Sequence, residues 1–215
     1  MKFVSYLSDD EEKFGILDEN GTSIIPIDIL LKRLGKKVPK NLLEFIRLYS
    51  DSLNLELLDA AEDEKDRGIP LDEVKITAPI RYPRRNIFCL GKNYADHAVE
   101  VKSLPGEKTA IPDYPIYFTK IADPAIGHMD KVVIPKDYTE KIDYEVELAI
   151  IIGKDGKNIP ASKAEDYIFG YTIGNDISAR DIQTKHIQWF KGKSLDTFMP
   201  LGPYLIHKAE IGFPV

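Results

Sequence analysis

Apolar residues open the chain in short blocks. Phe3, Val4, Tyr6 and Leu7 come first, residues 14–17 next, then Ile24 and Ile25. Blocks this short, with Asn20-Gly21 before the last, predict strands joined by tight turns. The period then lengthens. Leu42, Leu43, Phe45, Ile46 and Tyr49 fall on one helical face after Pro39, and Leu53, Leu57, Leu58 and Ala61 repeat the pattern. The charged run 62–67 reads as a solvated last turn, closed by Gly68 and Pro70.

After Pro79 the pattern returns to short strands punctuated by glycine and proline, predicted over 86–90, 116–119, 132–134, 145–152, 167–176 and 204–206. Asp155-Gly156 predicts a hairpin turn between Ile152 and Ile159, and Ser162 with Glu165 a capping box on a short helix. The run 148–152 is continuously apolar, which predicts a strand buried on both faces. The reading is a β-rich α+β chain. It has a small N-terminal α+β domain over 1–75 and a second domain over 80–215, a roll, sandwich or barrel.

Composition narrows the function. A 43% hydrophobic content with 9 Phe and 11 Tyr supplies a core and excludes a disordered chain. No uncharged stretch approaches the roughly 18 residues a membrane helix needs; the apolar stretch 167–175 is half that length. The opening MKFVSYLSDDEE turns acidic before a signal sequence could form. A single cysteine fits a reducing, cytoplasmic setting. The formal charge of −6 argues against nucleic acid or an anionic membrane as partner. Phosphate-binding glycine loops, Gly-x-Ser-x-Gly and His-Glu-x-x-His do not occur.

Four stretches carry candidate chemistry. In Asp143-Tyr144-Glu145-Val146-Glu147, the period of two puts Glu145 and Glu147 on one strand face. Adjacent carboxylates repel unless a cation neutralises them, and oxygen-only ligands suit Mg²⁺, Mn²⁺ or Ca²⁺; a solvated polar face is the alternative. Asp176 ends the apolar strand 167–173 and could complete a three-carboxylate site, or else cap the short helix that carries Arg180 and Gln183. His97 and Glu100 stand three apart, a spacing that lets a carboxylate orient an imidazole as general base, or two exposed side chains meet by chance. Lys193, in Lys191-Gly192-Lys193-Ser194, could reach developing negative charge, or be a solvated loop lysine. Cys89, within an apolar strand, reads as an inert buried thiol.

The motifs GKNYADHAVE, DYEVELAIIIG, GYTIGNDISARDIQ and FKGKSLDTFMPLGPYL, in this order, resemble the fumarylacetoacetate hydrolase family over about residues 86–206. Within it they resemble the acylpyruvate hydrolase, oxaloacetate decarboxylase and hydroxyheptadienedioate isomerase branch. The resemblance implies a mixed β roll around a Mg²⁺ (or Mn²⁺) ion held by Glu145, Glu147 and Asp176, usually in a homodimer. It implies a catalytic pair His97 and Glu100, an active-site Lys193, and substrate-facing Lys120, Arg180 and Gln183. The implied activity is hydrolysis of a carbon–carbon bond in an acylpyruvate-type 2-oxo acid or 2-hydroxy-dienoic acid, through a metal-stabilised enolate. Isomerisation or decarboxylation on the same site is the alternative, and a non-catalytic metal-stabilised module the alternative class. Residues 94–109, mixed in charge and carrying Pro105 and Gly106, are expected to form a lid. Family members continue past the position of Val215, so the C-terminal part of the roll is expected to be missing.

Overall fold

A computed structural model describes residues 1–48, 51–95 and 112–212, with residues 51 and 52 described in their backbone alone. The first block becomes β1 (Lys2–Ser8), β2 (Glu11–Leu17) and β3 (Ser23–Pro26), each antiparallel to the one before. The turn at Asn20-Gly21 is longer than two residues. Asp18 accepts hydrogen bonds from the Thr22 and Ser23 amides at 2.7 and 3.0 Å, and Gly21 takes a left-handed φ of 73°. Three helices follow: α1 (Ile27–Arg33), α2 (Leu42–Leu48) and α3 (Asp51–Asp63). The last two match the helical periodicity, whereas α1 was not expected.

Short strands β4 (Ile69–Pro70) and β5 (Lys75–Ile76) pair with β3 and β1. A separate ribbon is built from β6 (Ile87–Gly91) and β7 (Ile116–Lys120). The rest comprises β8 (Ile142–Asp143), β9 (Val146–Ile152), β10 (Ile168–Asn175), β11 (Ser178–Ala179), α4 (Arg180–Lys185), α5 (Phe190–Lys193) and β12 (Leu201–His207). The main sheet runs β4-β3-β2-β1-β12-β10-β9, with β5 beside β1. Its ladders are antiparallel.

The sheet is continuous from the N-terminal segment into the later one because β1 pairs with β12, Lys2 opposite Ile206 and Phe3 opposite Leu205. Both faces of β1 are buried. Phe3 faces a core with Phe14, Phe45, Phe169 and Leu205, where aromatic centroids lie 5.4–6.5 Å apart. Val4 and Tyr6 face a smaller core with Ile24. Helices α1 to α3 cover the first core with Ile27, Leu30, Leu31, Leu42, Phe45, Ile46 and Leu57. Burying such a side chain contributes roughly 1.5–3 kcal/mol, so this cluster is the main anchor of the sheet.

Several sequence expectations need correction. The run 148–152 is not buried on both faces: among the described residues β9 lies at the end of the sheet, and Leu148, Ile150 and Ile152, with Val146 before them, are about half to two-thirds exposed. The inner face of the same strand packs Ala149 and Ile151 onto the cores. Residues 132–134 form no strand, because they find no ladder partner among the described residues; Val133 donates its amide to Thr197 Oγ1 instead. Asp155-Gly156 makes no tight hairpin. The connection from β9 to β10 runs through a 3-10 turn, Ala161–Tyr167, whose first turn has no side-chain cap, so the capping box does not form.

Candidate functional site

The main sheet delivers acids to one place. Glu145 immediately precedes β9 and Asp176 immediately follows β10, and the Asp176 amide donates to the Glu145 carbonyl at 2.7 Å. The Asn175 side chain accepts from the Glu145 amide at 3.3 Å. Both carboxylates therefore stand at the same end of an adjacent strand pair. The small β8–β11 ladder sets Ser178 opposite Asp143, which brings Asp143 beside Arg180 at the start of α4.

Cations meet these acids from three other elements. Lys120, the last residue of β7, is fully buried and donates to Asp176 Oδ1 at 2.6 Å and to the Ile177 carbonyl at 2.9 Å. Lys193, at the end of α5, is nearly as buried; its Nζ bridges Glu145 Oε2 at 2.5 Å and Asp176 Oδ2 at 2.9 Å. Arg180 reaches Glu145 Oε1 at 2.7 Å, grips Asp143 Oδ2 through Nε and Nη2 at 2.9 and 2.8 Å, and donates to Gln183 Oε1 at 3.0 Å. Lys120, Arg180, Gln183, Glu145, Asp176 and Lys193 thus meet in one network. Asp176 does not cap α4: the residue before that helix is Ala179, with no side-chain cap.

Two glycines allow this packing. A Cβ on Gly192 would stand 2.6 Å from the Gln183 amide nitrogen and 2.9 Å from the Ala179 carbonyl, so only glycine lets α5 lie against α4. A Cβ on Gly91 would stand 2.3 Å from the Trp189 ring, so the end of β6 is bare where the indole packs. Trp189 meets Phe118 edge-on at 5.5 Å, and Phe118 in turn lies 5.2 Å from the Lys193 ammonium. This aromatic wall keeps water from one side of the lysine and offers it a cation–π contact.

The charges perturb one another. Burial alone would raise the Glu145 carboxyl, but Lys193 and then Arg180 outweigh it and hold it below the usual range. Glu147 is pushed up, by burial first and then by the like charges of Glu145 and Asp176. Burial pulls the Lys120 ammonium down, against the opposing pull of Asp176. Burial, followed by the negative charge of Asp176, pushes the Cys89 thiol up to about 12, so it stays protonated and inert, as its apolar strand suggests.

Glu147 bears on the metal question. It lies on the inner face of β9 with the other two acids close enough to raise it, and it forms no salt bridge among the described residues. A set of oxygen donors short of positive charge fits a hard divalent cation such as Mg²⁺ or Mn²⁺. Among the described residues, no three His, Cys, Asp or Glu side chains yet stand close enough to hold one; Lys193 lies between Glu145 and Asp176 instead.

His97, Glu100 and nearly all of the stretch 94–109 expected as a lid lie outside the described residues. Three partners escaped the sequence reading. Asp143 was legible in principle, since it shares a strand parity with Glu145 and Glu147. Phe118 and Trp189 carry no sequence signal, because their contact with Lys193 exists only once β7 and α5 pack.

Residues 86–214 match the family described as Fumarylacetoacetate (FAA) hydrolase C-terminal. The oxaloacetate tautomerase YisK of Bacillus subtilis is 51% identical over 144 residues, 67% of this chain and 46% of that protein. The mitochondrial oxaloacetate tautomerase fahd2 of Xenopus laevis is 35% identical over 218 residues, 100% of this chain and 64% of that protein. Among solved structures, a fumarylacetoacetate hydrolase from Exiguobacterium antarcticum superimposes with a TM-score of 0.74 at 32% identity, covering 99% of this chain and 68% of that one. The chain spans about half to two thirds of the length of the curated relatives it matches.

Proposed function

The chain belongs to the fumarylacetoacetate hydrolase family, and on that basis we propose that its site forms and reprotonates the enolate of a small 2-oxo acid. The observation that carries this is the concentration of positive charge, the buried Lys120 and Lys193 and the half-buried Arg180, around carboxylates that a divalent cation could engage. A divalent cation held by Glu145, Glu147 and Asp176 would supply Lewis acidity toward the adjacent carboxylate and carbonyl oxygens of such an acid.

Each residue has a part that follows from its position. Arg180 is held at Nε by Asp143 and at Nη1 by Gln183, so its guanidinium plane is fixed before substrate arrives, and a planar fork suits a carboxylate. Lys193 presents an ammonium against the oxygen on which negative charge grows, within a wall that excludes water. Lys120 is fixed by Asp176 and the Ile177 carbonyl, so it contributes standing positive potential rather than a mobile proton. We assign the proton transfer to His97 with Glu100, on their spacing and on their place shortly after β6, whose Cys89 senses Lys120, Lys193 and Asp176.

Relatives that include the two described above bear the name oxaloacetate tautomerase, which favours keto–enol interconversion of a 2-oxo dicarboxylic acid over bond cleavage. Hydrolysis of an acylpyruvate is the second reading, favoured by the His97/Glu100 spacing suited to activating water. One experiment separates them. The chain with Mg²⁺ is mixed with enol-oxaloacetate and, separately, with acetylpyruvate, while enol absorbance and released pyruvate are followed together. Tautomerisation predicts faster enol decay with no pyruvate above background, and pyruvate from acetylpyruvate identifies the hydrolase. Neither signal above background overturns the proposal.

A further inference from the structure

We propose that Lys193 is a displaceable counter-cation: it holds Glu145 and Asp176 in place of a divalent ion and is released toward substrate when one binds. The inference rests on the reading of Glu145, Glu147 and Asp176 as cation ligands. It adds a role for the lysine that this reading does not contain.

The geometry argues for exchange. The Lys193 ammonium touches one oxygen of each acid, 2.5 Å from Glu145 Oε2 and 2.9 Å from Asp176 Oδ2. A divalent ion drawing on those two carboxylates would stand within a few ångströms of the ammonium, where like charges repel strongly. The two cations therefore compete for the same oxygens. Glu147 forms no salt bridge among the described residues, so the cations on Glu145 and Asp176 leave the acid group short of positive charge. A divalent ion supplies more.

Lys193 has somewhere to go, and Lys120 does not. Lys193 already lies 5.2 Å from the Phe118 ring, which Trp189 backs, so this contact still supports the ammonium when the acid oxygens are given up. Lys120 is tied to the other Asp176 oxygen and to the Ile177 carbonyl, so it shares the Asp176 carboxylate with Lys193 but neither of the oxygens that Lys193 holds. Cation binding at the acids would then free the positive charge of Lys193 for the substrate oxygen, so that the lysine is available only when the acids are filled.

The test is calorimetric titration of the full chain with MnCl₂. If Lys193 competes, Lys193→Met binds Mn²⁺ at least about tenfold more tightly than the unchanged chain, even as it loses turnover. Equal or weaker binding by the variant overturns the proposal. Absence of Mn²⁺ binding by both chains overturns the cation reading and the proposal with it. Because removing a buried ammonium can prevent folding, a second measurement uses the unchanged chain. Lysine acetylation is mapped by mass spectrometry with and without Mn²⁺. Labelling of Lys193 should rise several-fold on adding Mn²⁺ while Lys120 stays protected; unchanged labelling of Lys193 overturns the proposal.

Discussion

Asp176 is the residue on which the buried charge depends, and Asp176→Ala is the perturbation that measures this. Its two oxygens accept from Lys120 at 2.6 Å and from Lys193 at 2.9 Å, and both lysines are buried. Lys193 keeps Glu145 as a partner, whereas Lys120 keeps only the Ile177 carbonyl. Removing one member of a buried ion pair leaves an uncompensated charge and costs about 3–5 kcal/mol. For a chain of this size that is a drop in Tm of roughly 6–20 °C. Burial already pulls the Lys120 ammonium down and Asp176 opposes it, so loss of Asp176 lowers it further. A base whose folded pKa lies below its unfolded value binds more protons when unfolded, so stability then rises with pH. The deficit of the variant should accordingly narrow as pH is raised toward the ordinary lysine range. Urea unfolding at neutral and alkaline pH checks both statements. A loss below about 1 kcal/mol at neutral pH, or a deficit that widens on alkalisation, would refute the reasoning.

Two further outcomes follow from the same geometry. Glu147→Gln should stabilise the metal-free chain, because it removes a carboxylate that Glu145 and Asp176 repel, and should abolish any Tm gain on adding Mg²⁺; thermal unfolding with and without the ion reads both signs. Gly91→Ala should cost about 1–3 kcal/mol and alter the emission of Trp189, the single tryptophan, because the new methyl would meet the indole at 2.3 Å; unchanged fluorescence and stability would contradict that packing.

The outcome for each element depended on how far its cause was local. Helices α2 and α3 announced themselves because Leu42, Phe45, Ile46 and Leu57 are spaced for one buried face, and each does enter the core. Helix α1 was missed because it is one short stretch directly after the strand-like Ile24, Ile25 and Pro26. The apolar run in β9 was read as buried on both faces, but periodicity reports what a strand can bury and not what packs upon it. Residues 132–134 had strand composition and no partner, and a strand without a ladder does not form. At the site, the acids and lysines were legible as motifs, while Asp143, Phe118 and Trp189 were not, since their roles come from the meeting of β8 with α4 and of β7 with α5. The continuity of the sheet through β1 and β12 also lay beyond a linear reading, because it joins residues at opposite ends of the chain.

The central claim is that this cluster generates an enolate, and exchange of the protons beside the 2-oxo group tests it without assuming what happens next. Proton NMR of oxaloacetate in deuterated buffer with Mg²⁺ follows loss of the methylene signal. The account predicts that the chain accelerates this loss and that Glu145→Gln does not. Exchange no faster with the chain than with Mg²⁺ alone would contradict it.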